Sequence, residues 1–403
     1  MAKERIGLMG GSFNPIHERH LEIAMCALTA AKLNRVVFLP TGNPPHKHEG
    51  LESAEHRYEM VRLATLREPK FSVSRVEIDR SGVIYTVDTL TLLHKQLPEA
   101  EFYYIIGEDT LLDLPHWRTP DKVFPLCRFL VCSRETANTS ALPVVGELER
   151  RGARFSFLPL SPKCVSSTAV REALARGEAP AVIPPQVMEY IRVMGLYGVP
   201  SSPASAPAMY PRLREALSDK RLVHSLLVSA TARRLARLHG LSEEQCALAG
   251  LLHDCAKCMP LQTLQRIARE RRLLLDKLTL QNENLLHGPV GAEVAETVYC
   301  VTDPNVLRAI RCHTTGKVGM LPLDMALFLS DKIEPSRRSY PALEEVRRLA
   351  DTDLIAAMLY SLKSTQQYVT NQKATLHPAT QRVVDWLERL PSKERTEEWN
   401  KNN

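Results

Sequence analysis

The sequence predicts an α/β domain with a parallel sheet, followed by an all-helical domain. Short apolar runs alternate with amphipathic stretches in the first half of the chain, as they do in parallel α/β sheets. From residue 212 to about residue 390, apolar residues recur at spacings of three and four, and strand candidates are scarce. Residues 199–211 between the two halves are rich in proline, serine and alanine, which is typical of an extended linker.

Length and composition set broad limits on function. With 403 residues, the chain is long enough for two domains that each bury a core. The formal charge of +6, from 52 basic and 46 acidic residues, is too small to predict nucleic-acid binding, although it suits polyanionic small molecules. Nine cysteines without a disulfide-like spacing, and no signal-peptide core, predict a cytoplasmic location. No apolar stretch has the length of a membrane span, so no membrane contact is predicted.

The stretch GGSFNPIHERH, residues 10–20, organises the first half of the chain. It follows the apolar residues 6–9, so a strand leads into a glycine-containing turn and then into a helix that begins near His17. Such a turn lets backbone N–H groups approach phosphates, and the positive end of the helix faces the same anions. His17 and His20 share one helix face because they are three residues apart. The alternative, a glycine-rich turn with incidental histidines, is disfavoured by the combined spacing and position.

The rest of the first half supplies the sheet and its ligand-facing loops. A helix is predicted over residues 21–33, and strands are predicted over residues 35–40, 71–78, 101–106, 128–132 and 155–160. Ligands of such sheets collect at the carboxyl ends of the strands, where TGNPPHK, IGEDT and PKCVSSTAVR occur. Ser166, Ser167 and Thr168 are suited to cap a helix that begins near Ala169, either as a plain cap or with N–H groups left for a phosphate.

These motifs, with YTVDTL and IGEDTLLDLPHWR, resemble the bacterial nicotinate-nucleotide adenylyltransferases over the first half of the chain. The resemblance implies a Rossmann-like nucleotidyltransferase domain that uses ATP, Mg²⁺ carried with the ATP, and nicotinate mononucleotide. It implies catalytic contacts for His17, His20 and Arg171, and a second nucleotide motif that includes Ser167 and Thr168. Because adenylyl transfer needs no protein nucleophile, these groups would act by positioning and charge neutralisation. The other nucleotide- or substrate-binding residues that the resemblance implies are Gly10, Gly11, Ser12, Phe13, Lys47, Thr86, Asp109, Trp117 and Arg118.

Two positions depart from the pattern of that family. Arg19 stands where relatives usually carry glycine, so the arginine either adds a phosphate contact or crowds the nucleotide. Asn14 stands where many relatives carry aspartate, which is a milder change.

The second half contains separated histidines and aspartates with the chemistry of metal ligands. Nitrogen and oxygen ligands without thiolate suit iron, manganese or zinc, and six of them are enough for two ions. A histidine on a helix is often only a hydrogen-bonded structural residue, which suits His239 and His377, whereas the buried setting of the HD dipeptide favours a cation. The six candidate ligands are His224, His253, Asp254, His287, His313 and Asp331.

The segments RLVHSLLVSATARRLA, ALAGLLHDCAK, HGPVGAEVA, AIRCHTTG and LDMALFLSDKIEPSRR resemble the bacterial HD-domain hydrolases of diadenosine tetraphosphate. The resemblance implies an all-α HD domain in which the six candidate ligands hold two divalent ions, commonly iron, and the tetraphosphate is cut into two ADP. Lys257, Arg311 and Arg337 are predicted phosphate contacts from their charge and neighbourhood alone, and Thr315 and Gly316 are predicted to shape the nucleotide side.

The sequence therefore predicts a bifunctional enzyme with residues 1–198 as the transferase, 199–211 as a linker, 212–392 as the hydrolase and 393–403 as a polar tail. Several alternatives stay open: another nucleotidyltransferase specificity, a catalytically weak nucleotide sensor in the first half, or a general nucleotide phosphatase in the second. A redox or thiolate-metal role for the CxxC of Cys255 and Cys258 is disfavoured because no second pair accompanies it. The oligomeric state also stays open, a homo-oligomer included.

Overall fold

The computed structural model describes residues 3–42, 50–132, 142–160, 165–371 and 377–390. The chain divides into two compact units. The first consists of Met1–Met188 with Leu196–Val199, and the second of Glu189–Gly195 with Pro200–Asn403. The first unit is α/β and the described part of the second is helical, so the predicted fold class is confirmed.

The first unit is built on a six-stranded parallel sheet. Its strands are β1 (Arg5–Gly11), β2 (Arg35–Pro40), β3 (Phe71–Val73), β4 (Glu101–Gly107), β5 (Arg128–Cys132) and β6 (Phe155–Phe157). The spatial order β3-β2-β1-β4-β5-β6 reverses direction between β1 and β4. The loops that follow these two central strands therefore diverge and open a crevice at the carboxyl edge of the sheet, where ligands of such folds bind.

Helices cover this sheet, and apolar residues of β1, β4 and β5 form its core, among them Ile6, Leu8, Phe102 and Phe129. The helices are α1 (Glu18–Ala30), α2 (Ala54–Thr65), α3 (Thr86–Gln96), α4 (Glu108–Asp113), α5 (Pro120–Val123), α6 (Pro143–Arg150) and α7 (Ser167–Ala175). Helix α8 (Pro185–Met194) begins in the first unit, and its residues from Glu189 onward belong to the second.

Several predicted elements of the first unit differ from the structure in their bounds. Helix α1 begins and ends three residues before the predicted 21–33, and the chain leaves it through Lys32 with a positive φ of 51°. Strand β3 stops at Val73, because the Ser74 hydroxyl accepts the N–H of Val76 and a turn follows. Strand β6 ends at Phe157 instead of residue 160. Strands β2, β4 and β5 lie where the sequence predicts them, within one residue, whereas β1 continues two residues past the apolar run 6–9, to Gly11.

The second unit packs helices around a buried centre. They are α9 (Ala206–Ala216), α10 (Asp219–Leu238), α11 (Glu243–Leu252), α12 (Leu261–Glu270), α13 (Lys277–Leu280), α14 (Glu283–Thr297), α15 (Pro304–Cys312), α16 (Pro322–Ile333), α17 (Leu343–Ala350), α18 (Leu354–Asn371) and α19 (Pro378–Arg389). Helix α10 contacts α11 and α16, and α15 contacts α11, α14 and α16. These contacts bring distant parts of the sequence into one interior.

The prediction of an extended linker over 199–211 is wrong for its second half. Residues 206–211 begin helix α9, and Met209 and Tyr210 of this helix are buried. Pro207 lies in the first turn, where its missing N–H needs no intrahelical partner, but Pro211 lies inside the helix, so the composition alone misleads. The predicted tail 393–403 lies outside the described residues, and the helices described include none long and apolar enough to cross a membrane.

Candidate functional site

The two glycines that end β1 leave room for the side chains packed against them. A Cβ on Gly10 would lie 2.3 Å from the Tyr104 hydroxyl oxygen, and one on Gly11 would lie 3.3 Å from the Phe13 ring. Phe13 itself is buried and takes a positive φ of 47°, which turns the chain toward α1. Ser12 is exposed at this turn. The chain thus passes from the buried β1 into the start of α1 with an open surface over the turn.

His17 and His20 form a stacked pair where α1 begins. Their ring centroids lie 3.8 Å apart, and the His17 backbone N–H donates to Nδ1 of His20 at 3.2 Å. Nδ1 of His20 therefore carries a lone pair, which leaves its proton on Nε2 when the ring is neutral. His17 is only 3% exposed, and its Nδ1 has no hydrogen-bond partner among the described residues. A buried unpaired ring nitrogen at a helix N-terminus is suited to meet a ligand.

Burial keeps both histidines neutral in the unliganded protein. Loss of solvent lowers the pKa of His17 from 6.5 to about 4. Burial, followed by the neighbouring His17, also lowers the pKa of His20 well below its usual range. Near neutral pH the pair can donate hydrogen bonds but supplies no positive charge of its own. The geometry therefore supports the predicted positioning role of the histidines more directly than the predicted charge neutralisation.

A cavity of about 380 Å³ opens above the carboxyl ends of β1 and β4. Five predicted residues line it: Gly10, Gly11, His20, Thr86 and Trp117. Tyr104, Thr41 and Glu77 add polar atoms to the lining, and the Tyr104 and Trp117 rings meet edge to face at 6.0 Å.

Three predicted acceptor residues are absent from the described lining of this cavity. Asp109 is exposed in the first turn of α4. The guanidinium carbon of Arg118 stacks 4.4 Å above the Tyr85 ring, next to Thr86. Lys47 lies outside the described residues.

The second predicted nucleotide motif begins α7 and is tied to the turn after β1. Ser167 and Thr168 are the first residues of this helix, but the preceding Ser166 makes no side-chain cap, so the predicted capping by Ser166 is wrong. Arg171 donates to the Asn14 carbonyl oxygen at 2.9 Å and to the Thr168 hydroxyl at 3.2 Å. The positive charge missing from the histidine pair is thus held beside it.

The two departures from the family pattern have separate structural roles. Arg19 is largely buried, pairs with Glu22 on the same helix at 3.1 Å, and is not part of the described cavity lining. The Asn14 side chain accepts the Glu52 N–H at 3.2 Å and the Tyr197 hydroxyl at 2.8 Å. Asn14 therefore joins the turn to two other segments of the first unit.

Arg57 is a buried positioning residue that sequence reasoning missed. It is 1% exposed, and its guanidinium donates to the carbonyl oxygens of Ser12 at 2.8 Å and Thr41 at 2.7 Å. Further bonds reach the carbonyl oxygens of Gly42 and Glu52. This side chain holds the turn after β1 against the loop after β2. Its sequence signal is weak, because an arginine inside an amphipathic helix normally indicates a solvated face.

In the second unit, three helices and the C-terminal ends of two others supply the six predicted ligands. His224 lies on α10, His287 on α14 and Asp331 on α16. His253 and His313 follow directly after α11 and α15, and Asp254 comes next to His253. Gly250, which sequence reasoning missed, lets α11 approach α10, because a Cβ there would lie 2.7 Å from the Ser229 Cα.

The ligand atoms form two groups that share Asp254. One group contains His224, His253 and Asp254, and the other contains Asp254, His287 and His313. Oδ2 of Asp254 lies 3.6 Å from Nε2 of His253 and 3.9 Å from Nε2 of His224, whereas Oδ1 lies 3.1 Å from Nε2 of His287. The two carboxylate oxygens therefore face different groups.

Asp331 completes the first of these groups. Its Oδ1 lies 3.0 Å from Nε2 of His224 and 3.9 Å from Nε2 of His253. All six predicted ligands are thus brought together, although their sequence separation reaches 107 residues between His224 and Asp331.

Hydrogen bonds to the outer ring nitrogens orient the histidines. Nδ1 of His253 lies 2.7 Å from the Gly250 carbonyl oxygen, and Nδ1 of His313 lies 2.7 Å from that of Ile310. Both rings must carry their proton on Nδ1, so the Nε2 lone pairs face the centre. Nε2 of His253 is buried and has no hydrogen-bond partner among the described residues. These residues fit a divalent metal ion, since a cation would satisfy the lone pairs that the protein leaves unpaired.

The protonation states of four of the six ligands also fit metal binding. His224 differs: burial opposes its protonation, but its hydrogen bonds with Asp331 and Glu334 raise its pKa, so a metal ion would have to displace a proton there. Burial lowers the pKa of His253, and burial with nearby histidines lowers that of His313 to about 3. Burial opposes ionisation of Asp254, but the surrounding histidines hold its pKa well below the usual range. For Asp331, the hydrogen bond from His224 and nearby cations likewise outweigh burial and lower the pKa. Neutral imidazoles and ionised carboxylates are the ligand forms that a metal needs.

Two arginines compensate the carboxylates. Nη1 of Arg221, missed from the sequence, lies 2.9 Å from Oδ2 of Asp254. Arg337 pairs with the Asp331 carboxylate and donates from Nε to the Asp331 carbonyl oxygen at 2.6 Å. The predicted phosphate contact Arg337 therefore lies at the ligand cluster.

Of the two other predicted phosphate contacts, Lys257 borders the ligand cluster and Arg311 forms a separate ion pair. Nζ of Lys257 lies 3.4 Å from Nδ1 of His287, at the edge of the cluster, whereas Arg311 pairs with Glu293 at 2.8 Å. The Thr315 hydroxyl donates to the Gly316 carbonyl oxygen.

His239 and His377, for which the sequence favours a structural role, make ordinary hydrogen bonds. His239 bonds the Ala350 carbonyl oxygen, and His377 caps α19. Cys255 is buried and Cys258 is exposed; both are free thiols.

Comparison with known proteins matches both units. Residues 8–173 match the family model described as cytidylyltransferase-like, and residues 221–358 match the HD domain. A Gloeobacter violaceus protein named "Probable nicotinate-nucleotide adenylyltransferase" is 42% identical over 204 residues, which cover 49% of this chain and 98% of that protein. The chain belongs to the nicotinate-nucleotide adenylyltransferase family. Its relationship to that family rests on the first unit alone.

The nicotinate-nucleotide adenylyltransferase family also includes two-domain relatives. A Mycoplasma genitalium protein named "Probable nicotinate-nucleotide adenylyltransferase/Ap4A hydrolase" is 29% identical over 372 residues, which cover 91% of this chain and 99% of that protein. A crystal structure from Clostridium acetobutylicum, described as a predicted HD superfamily hydrolase involved in NAD metabolism, is 35% identical. It covers 45% of this chain and 95% of its own, with a TM-score of 0.44. By its similarity to the Mycoplasma protein, the chain is a homologue of a protein named for both activities.

Proposed function

We propose that the first unit transfers the adenylyl group of ATP to nicotinate mononucleotide, forming nicotinate adenine dinucleotide and pyrophosphate. The names of the relatives support this reaction. The single structural observation that supports it most is the stacked His17–His20 pair at the glycine turn: His20 lines the cavity at the sheet edge, and the buried Nδ1 of His17 has no partner among the described residues. Such a site offers hydrogen-bond donors to a polyphosphate without offering a nucleophile.

The reaction balances without a covalent enzyme intermediate. A phosphate oxygen of nicotinate mononucleotide forms a bond to the α-phosphorus of ATP, and the bond from this phosphorus to the bridging oxygen of the β-phosphate breaks. The electron pair leaves with pyrophosphate. The protein therefore has to align the two substrates and stabilise charge on the α-phosphate of the adenylyl group during its transfer.

The residues divide this work by their positions. In the proposal, the His17 and His20 imidazoles donate to ATP phosphates, and Arg171 supplies the positive charge, with Ser167 and Thr168 beside it. Thr86 and Trp117 line the acceptor side of the cavity. Asp109, Arg118 and Lys47 stay predicted acceptor contacts. Mg²⁺ bound to ATP would neutralise further phosphate charge.

Pyrophosphate release from ATP and nicotinate mononucleotide tests this proposal. The wild-type protein is expected to release pyrophosphate, and His17→Ala is expected to lower kcat/KM by roughly a hundredfold, as removal of a transition-state donor does. A panel with nicotinamide mononucleotide and phosphopantetheine distinguishes the other specificities. No release by the wild type with any acceptor would favour a nucleotide sensor.

We propose that the second unit hydrolyses diadenosine tetraphosphate symmetrically into two ADP with a pair of divalent metal ions. The observation that carries this is the sharing of Asp254 between two His/Asp groups, one oxygen facing each. The six residues that would hold the ions are His224, His253, Asp254, His287, His313 and Asp331. Two ions at such a site would polarise the scissile phosphoanhydride and lower the pKa of a bound water.

In the balanced hydrolysis, a water oxygen bonds to one of the two central phosphorus atoms and the bridging oxygen between them leaves. The leaving oxygen receives a proton, so each product is ADP. Arg221 and Arg337 hold the ligating carboxylates in place in this proposal, and Lys257 stands at the cluster edge for a phosphate oxygen. The donor set of imidazole nitrogen and carboxylate oxygen suits iron, manganese or zinc. In this proposal the metal is iron, as the resemblance to the diadenosine tetraphosphate hydrolases implies.

Metal analysis of the purified protein, combined with product analysis, tests this second activity. Two ions for each chain and ADP as the sole nucleotide product are expected. ATP plus AMP as products, or equal rates on simple phosphomonoesters, would contradict symmetrical hydrolysis and favour a general nucleotide phosphatase. We also propose a cytoplasmic location, because both reactions draw on the adenylate pool of the cell.

A further inference from the structure

A wide groove in the second unit is lined by cationic and polar side chains, of which Arg221, Arg337 and Lys332 are paired with the carboxylates of the ligand cluster. It has a volume of about 900 Å³ and lies between the segment after α16 and helix α18. Glu334 is the only acidic side chain in its described lining. Five cationic side chains line it: Lys220, Arg221, Lys332, Arg337 and Arg338. A concave surface lined by cationic side chains attracts a polyphosphate chain.

One end of the groove reaches the ligand cluster. His224 is part of the lining, and its Nε2 lies 3.0 Å from Oδ1 of Asp331. Arg221, also in the lining, lies 2.9 Å from Oδ2 of Asp254. A phosphate chain that enters the cluster can therefore continue along the groove.

Tyrosines line both sides of the groove, one in the segment after α16 and two on α18. Tyr340, Tyr360 and Tyr368 all line it and are 37%, 40% and 65% exposed. Tyr360 and Tyr368 lie eight residues apart on α18, and Ser364 between them completes one helix face. Exposed aromatic rings next to a cationic channel are the features that stack nucleobases without sequence readout. The neighbouring hydroxyl and amide groups suit a ribose.

We propose that this groove binds one ADP half of the dinucleoside tetraphosphate, with its base stacked on Tyr360 or Tyr368 and its phosphates directed toward His224. The inference rests on the proposed hydrolase function of the second unit. It assigns these two tyrosines as specificity-determining residues, which separate substrates that carry a nucleoside from bare polyphosphates.

Hydrogen exchange of α18 in the full-length, metal-loaded protein tests where the base binds. ADP is expected to slow amide exchange over Leu354–Asn371 more than inorganic pyrophosphate does. The double variant Tyr360→Ala/Tyr368→Ala is expected to lose this difference, and the corresponding Phe variant to keep it. No added protection by ADP in the wild type would overturn the proposal, whether or not the protein hydrolyses diadenosine tetraphosphate.

Product inhibition of diadenosine tetraphosphate hydrolysis reports on this groove separately from the transferase site. The inhibition constant of ADP is expected to rise roughly tenfold when the tyrosine that stacks on the base is replaced by alanine, while that of pyrophosphate stays unchanged. Leu274→Ala, at a fully exposed position outside the groove lining, is the matched control and should change neither constant. An equal loss of ADP and pyrophosphate affinity would show a structural effect and contradict stacking. If the wild-type protein does not hydrolyse diadenosine tetraphosphate, the proposed function is refuted instead. The hydrogen-exchange experiment would still show whether ADP binds in the groove.

Discussion

The two units use histidine in opposite ways. In the first, His17 and His20 come from one short motif, stack on each other and leave Nδ1 of His17 without a partner. In the second, histidines from four parts of the chain have their Nδ1 atoms bound, and their Nε2 atoms converge on Asp254. The first arrangement offers protons to an anion, and the second offers lone pairs to a cation. The residue type alone therefore does not indicate the ligand, whereas the partner of the other ring nitrogen does.

Asp254→Asn is expected to give the largest effect and to separate the two sites. Because Asp254 belongs to both ligand groups, its loss should lower metal affinity at both positions by at least roughly a hundredfold. Hydrolysis should fall with metal content, while pyrophosphate release by the first unit stays unchanged. His239→Asn, which alters a hydrogen-bonded histidine outside the cluster, is the control. Retention of two ions by Asp254→Asn would show that Asp254 does not bridge them.

Acid should destabilise the first unit through its histidine pair. The pKa of His17 is about 4 in the folded protein and 6.5 in a free side chain, so between these values only the unfolded state binds the proton. The associated stability is complete above pH 6.5 and falls by roughly 3 kcal/mol as the pH drops to about 4.

Urea unfolding of the first unit, followed by NMR signals of its residues, measures this pH dependence. His17→Asn should reduce the fall in the free energy of unfolding between pH 6.5 and 4. His94→Asn, elsewhere in the unit, is the matched control. An unchanged slope in His17→Asn would place the sensitivity on other groups.

Arg57→Met should disconnect the turn after β1 from the loop after β2. The carbonyl oxygens of Ser12 and Thr41 would lose their buried donor, which should lower the free energy of unfolding by roughly 2 kcal/mol. Since the turn would no longer be held, KM for ATP should rise more than kcat falls. Arg57→Lys keeps the positive charge but loses the planar guanidinium with its several donors. It should therefore recover only part of the lost stability and reverse only part of the rise in KM for ATP. Equal KM values in all three proteins would limit Arg57 to a role in stability.

Arg19→Gly is expected to have the smallest effect. Arg19 pairs with Glu22 and is absent from the cavity lining, so KM for ATP should stay within about twofold while glycine in the helix costs about 1 kcal/mol of stability. A large fall in KM would mean that the arginine crowds the nucleotide. A large rise would mean that it contacts a phosphate.

Most of the architecture could be predicted because its signals are local. The apolar runs, the glycine turn and the periodic helices identify two units of different class, and the first strand covers the apolar run that predicts it. The six candidate ligands were also readable from residue type and setting. The predicted linker failed because proline and serine composition does not reveal that Met209 and Tyr210 become buried in a helix.

Features that depend on contacts between residues distant in the sequence could be known only from the tertiary structure. The sequence by itself determined the fold classes, the histidine motif and the ligand types, because those follow from spacing along one strand or helix. Packing alone decided that Arg57 points inward, that Gly250 lets two helices meet, and that tyrosines of α18 face a groove lined by cationic side chains. It also decided the protonation of the histidines, since a pKa shift follows from burial and nearby charge, and both arise only when separate segments come together.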